Sequence, residues 1–379
     1  MQPSVIASAL VAAIVGFGGT IAIVISAADA VGATPSQKVS WVTAICLAMA
    51  VETGWLSWRY RMPIVTAWST PGALLIIATA GFSMQDAVGA FILTALLIIA
   101  TGFFAPLMRL VERIPASVAS GMLAGILASF VIGAAKAVSM DPLLILPLVI
   151  LFFVFRLWNP ALAVLAVLTG GTVYAFALQR MSGLPVIELT SLELVTPQFS
   201  AQGALGLAVP LYLVTMASQN LAGLAVLRAA GYQPLPGPLL WFTGLLSLIT
   251  APLGAHTTNL AAISAAICTG PDAHPDPAQR WLTGPFYAGT YLIFAAFAAS
   301  FVSLFASMPK ALIALIAGLA LISAFANALD IALNKSDQRM AAIATFATTA
   351  SGIAFFGVGA AFWGLVAGLA VLGLDRVRR

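Results

Sequence analysis

Long apolar stretches that contain almost no charge constrain this chain more than any other feature. Of its 379 residues, 61% are hydrophobic and only 7% are charged, whereas a soluble domain has about a quarter charged residues. The stretches run for about 20 residues, which suits a helix that crosses a bilayer and not the short alternating segments of a membrane barrel. The sequence therefore predicts an all-α polytopic membrane protein with the lipid bilayer as its partner.

Charges, prolines and glycine clusters divide the chain into about 14 candidate spans. The first seven cover residues 4–28, 38–57, 63–80, 86–105, 115–134, 142–157 and 160–178. The second seven cover residues 203–227, 236–252, 255–270, 282–306, 309–329, 338–356 and 358–374. The third and the tenth are the least regular of these spans.

The basic residues test this count, because the cytoplasmic loops of membrane proteins are enriched in Lys and Arg. With 14 spans and a cytoplasmic N-terminus, 12 of the 16 basic residues are cytoplasmic and 4 are on the outer side. The cytoplasmic set is Arg59, Arg61, Arg109, Arg113, Arg156, Arg228, Arg280, Lys335, Arg339, Arg376, Arg378 and Arg379. The outer set is Lys38, Lys136, Arg180 and Lys310. We therefore expect both chain ends in the cytoplasm.

Several other classes of function are disfavoured. The basic residues occur singly or in pairs between apolar stretches, so a continuous basic face for nucleic acid is not expected. Cys46 and Cys268 lie far apart, and His256 and His274 are the only histidines, which gives no spacing for a metal site. The sequence has no nucleophile-plus-base pattern, no paired catalytic acids and no Walker motif. We expect a transporter without cofactor or metal, and not an enzyme.

The two irregular spans occupy matching positions in the two halves of the chain. An offset of 189 residues places Ser69 over Thr258 and puts the third span over the tenth. Since each half contains seven spans, an odd number, the second half must be inverted in the membrane relative to the first. We expect two inverted repeats, residues 1–190 and 191–379, as in alternating-access carriers that bind their substrate near the midplane.

The third span contains a helix start partway across the bilayer. In the Ser-Thr-Pro-Gly sequence at 69–72, Thr70 suits the N-cap and Pro71 suits the first helical position. We expect residues 63–68 to be extended, with backbone groups that need protein or water as partners because lipid offers none. The alternative is an ordinary proline kink in one helix.

The tenth span repeats this arrangement in the Thr-Thr-Asn sequence at 257–259, where Thr258 or Asn259 is expected to cap a helix running on from Leu260. Inversion makes the two half-helices enter from opposite sides, so that their N-termini face one another. Each N-terminus offers unpaired N–H groups and about half a positive charge, which predicts an anion site without a buried cation. The expected substrate contacts here are Ser69, Thr70, Gly72, Thr258 and Asn259.

Three further polar residues are candidate substrate contacts. Gln219 and Asn220 are adjacent amides in the eighth span, and a buried amide in a membrane hydrogen-bonds either another helix or a ligand. Thr20 follows a glycine cluster in the first span. It either reaches the site or adjoins glycines whose role is helix packing.

Two ionisable residues within the spans are candidates for proton coupling, because charged groups at membrane depth are functional suspects. Glu52 lies in the second span; the alternative is that it pairs with Arg59 or Arg61 near the cytoplasmic surface. His256 lies in the extended start of the tenth span, and its imidazole titrates near neutral pH. The alternative for His256 is a structural role, bonded to backbone carbonyls that the broken helix frees.

Sequence motifs in these spans resemble a known family. The motifs are AWSTPGA at 67–73, SQNLAG at 218–223 with AVLR at 225–228, NLAAI at 259–263 and ICTGPDAHPD at 267–276. They are similar to motifs of the benzoate/proton symporter family (BenE), and the likeness covers nearly the whole chain in order and length. It implies a bacterial inner-membrane carrier that takes up benzoate with a proton.

The resemblance also implies a fold, the seven-plus-seven inverted repeat shared with nucleobase permeases and sulfate-type anion carriers. In that fold a core domain, here residues 1–110 and 200–306, holds the substrate against a gate domain, here residues 111–180 and 307–379. Relatives of the fold often dimerise through the gate domain, which makes a homodimer a further expectation to test.

A comparison within this fold separates two substrate classes. Nucleobase permeases have an acidic residue in the eighth span and often another at the break of the tenth, and the matching positions here are Gln219 and Thr258. Two carboxylates would repel an organic anion, whereas an amide and a hydroxyl do not. The sequence thus favours a secondary active transporter for benzoate or a similar aromatic carboxylate, working by alternating access with a proton as the coupling ion. The alternatives are a permease of the uracil or xanthine type and an anion channel.

Overall fold

The computed structural model describes residues 2–79, 81–158, 160–183, 187–353, 355 and 359–378. Helices of the first half are α1 (Pro3–Ala30), α2 (Pro35–Tyr60), α3 (Thr70–Ala78), α4 (Met84–Phe103), α5 (Ala105–Glu112), α6 (Ala116–Met140), α7 (Pro142–Trp158) and α8 (Pro160–Ala177). Helices of the second half are α9 (Ala201–Gly203), α10 (Val209–Thr215), α11 (Leu221–Ala229), α12 (Pro236–Thr250), α13 (Ile263–Thr269), α14 (Thr283–Ala296), α15 (Ala298–Ser307), α16 (Lys310–Asn334), α17 (Arg339–Ala350) and α18 (Ala360–Arg378). Two short strands are β1 (Thr66–Trp68) and β2 (Thr258–Leu260).

The described helices confirm a polytopic membrane protein. Seven are long and apolar enough to cross a membrane, and the bent pair of α14 and α15 adds an eighth. The shorter apolar helices α7, α8 and α18, the 12-residue helix α17 and the two broken segments, β1–α3 and β2–α13, occupy the remaining predicted positions. The segments therefore follow the predicted order of fourteen. The predicted junction of the last two spans, at 356–358, lies outside the described residues.

The two strands form one antiparallel ribbon that joins the two halves of the chain. The paired residues are Thr66 with Leu260, Ala67 with Asn259, and Trp68 with Thr258. The Ser69 N–H donates to the Thr257 carbonyl at 3.0 Å and the Ala261 N–H to the Val65 carbonyl at 2.9 Å, which lengthens the ribbon at both ends. Each broken span thus satisfies the backbone groups of the other at a depth where lipid cannot.

Helix packing falls into two main groups. In the first, α14 packs along α2, α12 along α4, and both α13 and α14 along α1. In the second, α16 packs along α6, and α17 packs against α6 and α18; α7 and α8 pack against each other and against α16. The ribbon lies within the first group, against α2, α11 and α12. Helix α1 also contacts α8 and α16 of the second group.

Two predicted spans are less regular than a single α-helix. Residues 201–229 form one helix with π-helical turns at Ala204–Ala208 and Met216–Asn220. The predicted eleventh span bends by 61° between α14 and α15. At this bend the Ala296 carbonyl accepts the N–H of Thr190, at 3.2 Å, from the extended linker between the repeats. The linker thereby gives the freed carbonyl a partner.

Two glycines on α6 provide a matched test of the packing. A Cβ at Gly121 would lie 2.7 Å from the Ala342 carbonyl oxygen of α17, whereas a Cβ at Gly133 would meet nothing within 4 Å. We expect Gly121→Ala to destabilise the protein by about 1–3 kcal/mol through overpacking. Gly133→Ala should stabilise it by up to about 1 kcal/mol through helix propensity. Thermal unfolding in detergent measures both, and equal midpoints would contradict the close contact of α6 with α17.

Candidate functional site

Helix α3 begins directly after the ribbon, and its N-cap is Ser69. The Ser69 Oγ accepts the N–H of Gly72 at 3.1 Å. The prediction that Thr70 is the N-cap is therefore wrong by one residue: Thr70 and Pro71 are the first two helical residues. The reason is that the Ser69 N–H is already bonded to Thr257 in the ribbon, so the extended backbone ends at Ser69.

The two neighbours of this cap differ in what they can offer a ligand. Gly72 is closely packed, since a Cβ there would lie 2.5 Å from Leu211 Cδ1 and 2.7 Å from Ser69 Oγ. Thr70 is only partly buried, and its hydroxyl has no hydrogen-bond partner among the described residues. Its N–H is one of the first helical N–H groups, which have no acceptor within the helix. Thr70 therefore presents two donors at the positive end of α3.

His256 contacts the backbone of the N-cap residue, Ser69. Its Nδ1 accepts the indole N–H of Trp41 at 3.0 Å, and its Nε2 lies 3.1 Å from the Ser69 carbonyl oxygen. An indole only donates and a carbonyl only accepts, so the ring accepts at Nδ1 and donates at Nε2. Both nitrogens are occupied in this neutral tautomer, and a second proton would break the bond from Trp41. These contacts favour the structural role for His256 over a role in carrying protons.

A chain of three buried hydroxyls connects the cap to other elements. The Ser69 Oγ lies 2.8 Å from Thr215 Oγ1 of α10, which lies 3.2 Å from Thr257 Oγ1. The chain ties α3, α10 and the start of β2 together. Sequence reasoning did not single out Thr215, because one threonine within a long apolar helix has no pattern that distinguishes it.

Thr20 contacts the ribbon through a tryptophan. The Trp68 indole N–H donates to Thr20 Oγ1 at 2.8 Å, and the Thr20 hydroxyl donates to the Gly16 carbonyl at 2.8 Å. Trp68 also lies against Phe17 of α1, the helix that carries Thr20, with ring centroids 5.7 Å apart. Thr20 therefore fixes the side chain of Trp68 in β1, and its partly exposed position leaves one side of it open.

The start of α13 differs from the prediction. Thr258 and Asn259 lie inside β2, and α13 begins at Ile263 after Ala262, which has no side chain able to cap it. The prediction that Thr258 or Asn259 caps this helix is therefore wrong. Pairing with β1 holds both residues in extended backbone, and their side chains bond elsewhere.

The π-helical turn of the eighth span places two amides differently. The Asn220 Oδ1 accepts the N–H of Leu260 at 3.0 Å, so this fully buried side chain completes the free edge of β2. Gln219 is only partly buried and has no hydrogen-bond partner within the described part of the chain. A π-helical turn rotates successive side chains away from α-helical positions. One amide is thereby used for structure, and the other remains available to a ligand.

Glu52 lies behind the ribbon and is fully buried. Its Oε1 accepts the hydroxyl of Thr258 at 2.6 Å, and its Oε2 has no hydrogen-bond partner in the part of the chain that the structure describes. The predicted alternative, a pair with Arg59 or Arg61, is not found: the ion pairs among the described residues are Lys38 with Asp29 and Arg180 with Asp141. The carboxyl group is therefore separated from cations and joined to β2 by one hydroxyl.

The ribbon has two faces with different chemistry. Directly paired residues share a face, so Thr258 and Trp68 lie on the face toward α2 and α1, and Asn259 and Ala67 lie on the other. The Asn259 Nδ2 donates to the Leu260 carbonyl at 3.0 Å, while its buried Oδ1 has no partner among the described residues. Ala67 is partly exposed. The second face is thus lined by an unpaired amide oxygen beside an open, apolar position.

Comparison with solved structures shows which membrane proteins share this fold. It resembles the transmembrane domain of a cyanobacterial bicarbonate transporter, BicA (TM-score 0.60, 16% identity, 97% of each chain). It also resembles SLC26A9 (TM-score 0.67, 13% identity, 98% of this chain and 65% of that chain). At these identities the likeness shows the fold alone, and it confirms the predicted helical inverted-repeat architecture.

Sequence relatives define the family. The family model described as benzoate membrane transport protein (BenE) matches residues 1–374. Inner membrane protein YdcO of Escherichia coli (strain K12) is 40% identical over 373 residues, covering 97% of this chain and 95% of that protein. The benzoate membrane transport protein of Acinetobacter baylyi is 35% identical over 360 residues, covering 94% and 91%. The chain belongs to the benzoate membrane transport protein family, which confirms the resemblance and makes it a transporter and not an enzyme.

The two adjacent amides give a test of this geometry. Asn220→Leu removes the acceptor of the Leu260 N–H, and a buried group left unpaired costs about 1–3 kcal/mol. We expect this variant to unfold at a lower temperature than the wild type. The matched variant Gln219→Met removes an amide without a protein partner, so its unfolding temperature should stay unchanged. Equal destabilisation by the two changes would contradict the assignment of Asn220 to the edge of β2.

Proposed function

We propose that the protein is a secondary active transporter that takes up benzoate or a similar aromatic carboxylate together with a proton. The observation that carries the proposal is the ribbon of β1 and β2, which ends at the N-cap Ser69 and leaves the N–H and hydroxyl of Thr70 as free donors at the start of α3. The substrate carboxylate binds at the N-terminus of α3, in the region between the two half-helices. Membership of the benzoate transport family supports the choice of substrate.

The electrostatics of the site suit an anion. The spans that contain α3, α10–α11 and α13 have no Asp or Glu, and Arg228, at the exposed end of α11, is their one charged residue. No fixed carboxylate in these spans therefore repels the substrate. The positive end of α3 and the two donors of Thr70 attract a carboxylate. Gln219 adds an amide donor with no protein partner among the residues described.

The aromatic ring of the substrate needs an apolar wall. Ala67 on the open face of the ribbon and Ala262 before α13 are both partly exposed, and Ile263 at the start of α13 is 72% exposed. We propose that the ring lies against this apolar surface while the carboxylate faces Thr70. Nucleobase permeases have acidic residues where Gln219 and Thr258 stand; here an amide and a hydroxyl replace them, and the Thr258 hydroxyl already donates to Glu52.

Glu52 is the group that we propose carries the proton. Its buried carboxyl has no cation partner among the described residues, and one of its oxygens is free to take a proton. Its link to Thr258 places it one residue from Asn259, on the other face of the same strand. Proton and anion would then bind to opposite faces of one ribbon and cross the membrane together.

Topology and transport follow the family fold in this proposal. The helix group around the ribbon acts as the core domain, and the group of α6–α8 with α16–α18 acts as the gate domain. Alternating access is then a movement of the core, with its bound substrate, past the gate. The distribution of Lys and Arg supports a bacterial inner-membrane protein with both termini in the cytoplasm.

A conservative change tests the binding site. Thr70→Val keeps the helix start and removes the hydroxyl, and a hydrogen bond to a charged group contributes about 1.5–3 kcal/mol. We therefore expect KM for benzoate to rise by a factor of about 10 or more. Labelled uptake into proteoliposomes measures this, after subtraction of passive entry into protein-free liposomes. Thr169→Val is the matched control, because that exposed hydroxyl bonds its own helix; equal KM values for both variants would argue against Thr70 as a contact.

A second change tests proton coupling. Glu52→Gln keeps the size of the side chain and an oxygen that can accept from Thr258, but it cannot bind and release a proton. We expect this variant to exchange benzoate across the membrane and to lose accumulation driven by a pH gradient. The control, Glu188→Gln, alters an exposed glutamate and should behave as wild type. Gradient-driven accumulation that persists in Glu52→Gln, or wild-type uptake that follows sodium instead, would overturn this part of the proposal.

The competing functions are distinguished by one assay. We expect benzoate uptake to saturate. Substituted benzoates should inhibit it, and uracil should not. Inhibition by uracil or xanthine alone would favour a nucleobase permease. Flux that does not saturate would favour an anion channel.

A further inference from the structure

An apolar groove on the outside of the first helix group is separate from the substrate site. It has a volume of about 460 Å³ and lies between α2 and α14, lined by Ala50, Val51, Gly54, Trp55, Trp58 and Leu292. The helices approach closely at Gly54, where a Cβ would lie 3.2 Å from Ala288 Cβ. The larger side chains beside this contact form the walls of the groove.

The groove follows a single stripe of α2. Val51, Trp55 and Trp58 are spaced as i, i+4 and i+7, so they share one face of the helix, and each is about half exposed. The Trp55 and Trp58 rings lie 5.2 Å apart between centroids, at the end of the groove nearest the C-terminus of α2. Paired tryptophans at such a position are typical of the interface between hydrocarbon and lipid headgroups.

Two arginines stand where the groove ends. Arg59 follows Trp55 by four residues, which places it on the same face one turn further along. Arg61 follows the end of α2, and its guanidinium lies 4.1 Å from the centre of the Trp281 ring. Both arginines are exposed, and neither belongs to an ion pair found among the described residues. The apolar groove thus leads along α2 toward Arg59, with Arg61 directly after the helix end, and neither charge is paired within the described residues.

We propose that this groove binds an anionic phospholipid, with an acyl chain along Val51, Trp55 and Trp58 and the phosphate at Arg59 and Arg61. The two arginines favour an anionic lipid. In a zwitterionic lipid the cationic group of the headgroup already neutralises the phosphate, whereas the net negative charge of an anionic lipid can pair with the two guanidiniums. Guanidinium also pairs with phosphate through two parallel hydrogen bonds. The site lies on the side that the distribution of basic residues assigns to the cytoplasm, and it does not depend on which substrate is transported.

Lipids with brominated chains test this site, because bromine quenches tryptophan fluorescence on contact. The full chain is reconstituted in phosphatidylcholine vesicles that contain either brominated phosphatidylglycerol or brominated phosphatidylcholine at equal mole fraction. The difference between wild type and the Trp55→Phe/Trp58→Phe variant isolates the groove. We expect the groove tryptophans to favour phosphatidylglycerol, by about fivefold in relative association for each arginine.

Charge variants decide between this site and ordinary bilayer contact. Arg59→Gln/Arg61→Gln should abolish the preference for phosphatidylglycerol while quenching by both lipids continues. Arg228→Gln, which removes an exposed arginine at the end of α11, should leave the preference intact. Equal quenching of wild type by both lipids, or a preference that survives the loss of Arg59 and Arg61, would overturn the proposal. Groove tryptophans that neither lipid quenches would also overturn it, since protein would then cover the groove.

Discussion

The antiparallel pairing of β1 with β2 is the interaction on which the rest of the site depends. Two spans that stop being helical inside a membrane leave backbone donors and acceptors that lipid cannot satisfy. Each strand supplies partners for the backbone groups of the other, and the Asn220 Oδ1 accepts the Leu260 N–H at the remaining edge of β2. This ribbon allows α3 to begin at membrane depth with donors that a continuous helix would have used internally.

The two faces of the ribbon also carry residues with different roles. One face holds Thr258 against Glu52 and Trp68 against Thr20, while the other presents Asn259 beside the open position of Ala67. In our proposal the proton binds on the face of the ribbon that carries Thr258, and the anion binds on the opposite face. His256, the other ionisable candidate for proton coupling, is bonded at both nitrogens, to Trp41 and to Ser69, and holds the N-cap residue in place.

The sequence predicted those features that arise from local chemistry or from composition. Apolar length indicated the spans, and Pro71 with the residues before it indicated a helix start within one position. The odd number of spans in each half indicated inversion. The sequence did not predict the conformation or contacts of residues whose partners lie far away in the chain. Thr258 and Asn259 have the residue types of helix caps, yet pairing with β1 places them in a strand. The bond from Thr258 to Glu52 spans 206 residues, and no spacing in the sequence indicates it.

A structure of the protein with 4-bromobenzoate bound tests the central claim most directly, because the heavy atom fixes the orientation of the ring. The account predicts the carboxylate within hydrogen-bonding distance of the Thr70 N–H and hydroxyl, with the bromine directed toward the apolar surface at Ala262 and Ile263. A carboxylate paired instead with an arginine at the membrane surface, and an empty N-terminus of α3, would contradict it.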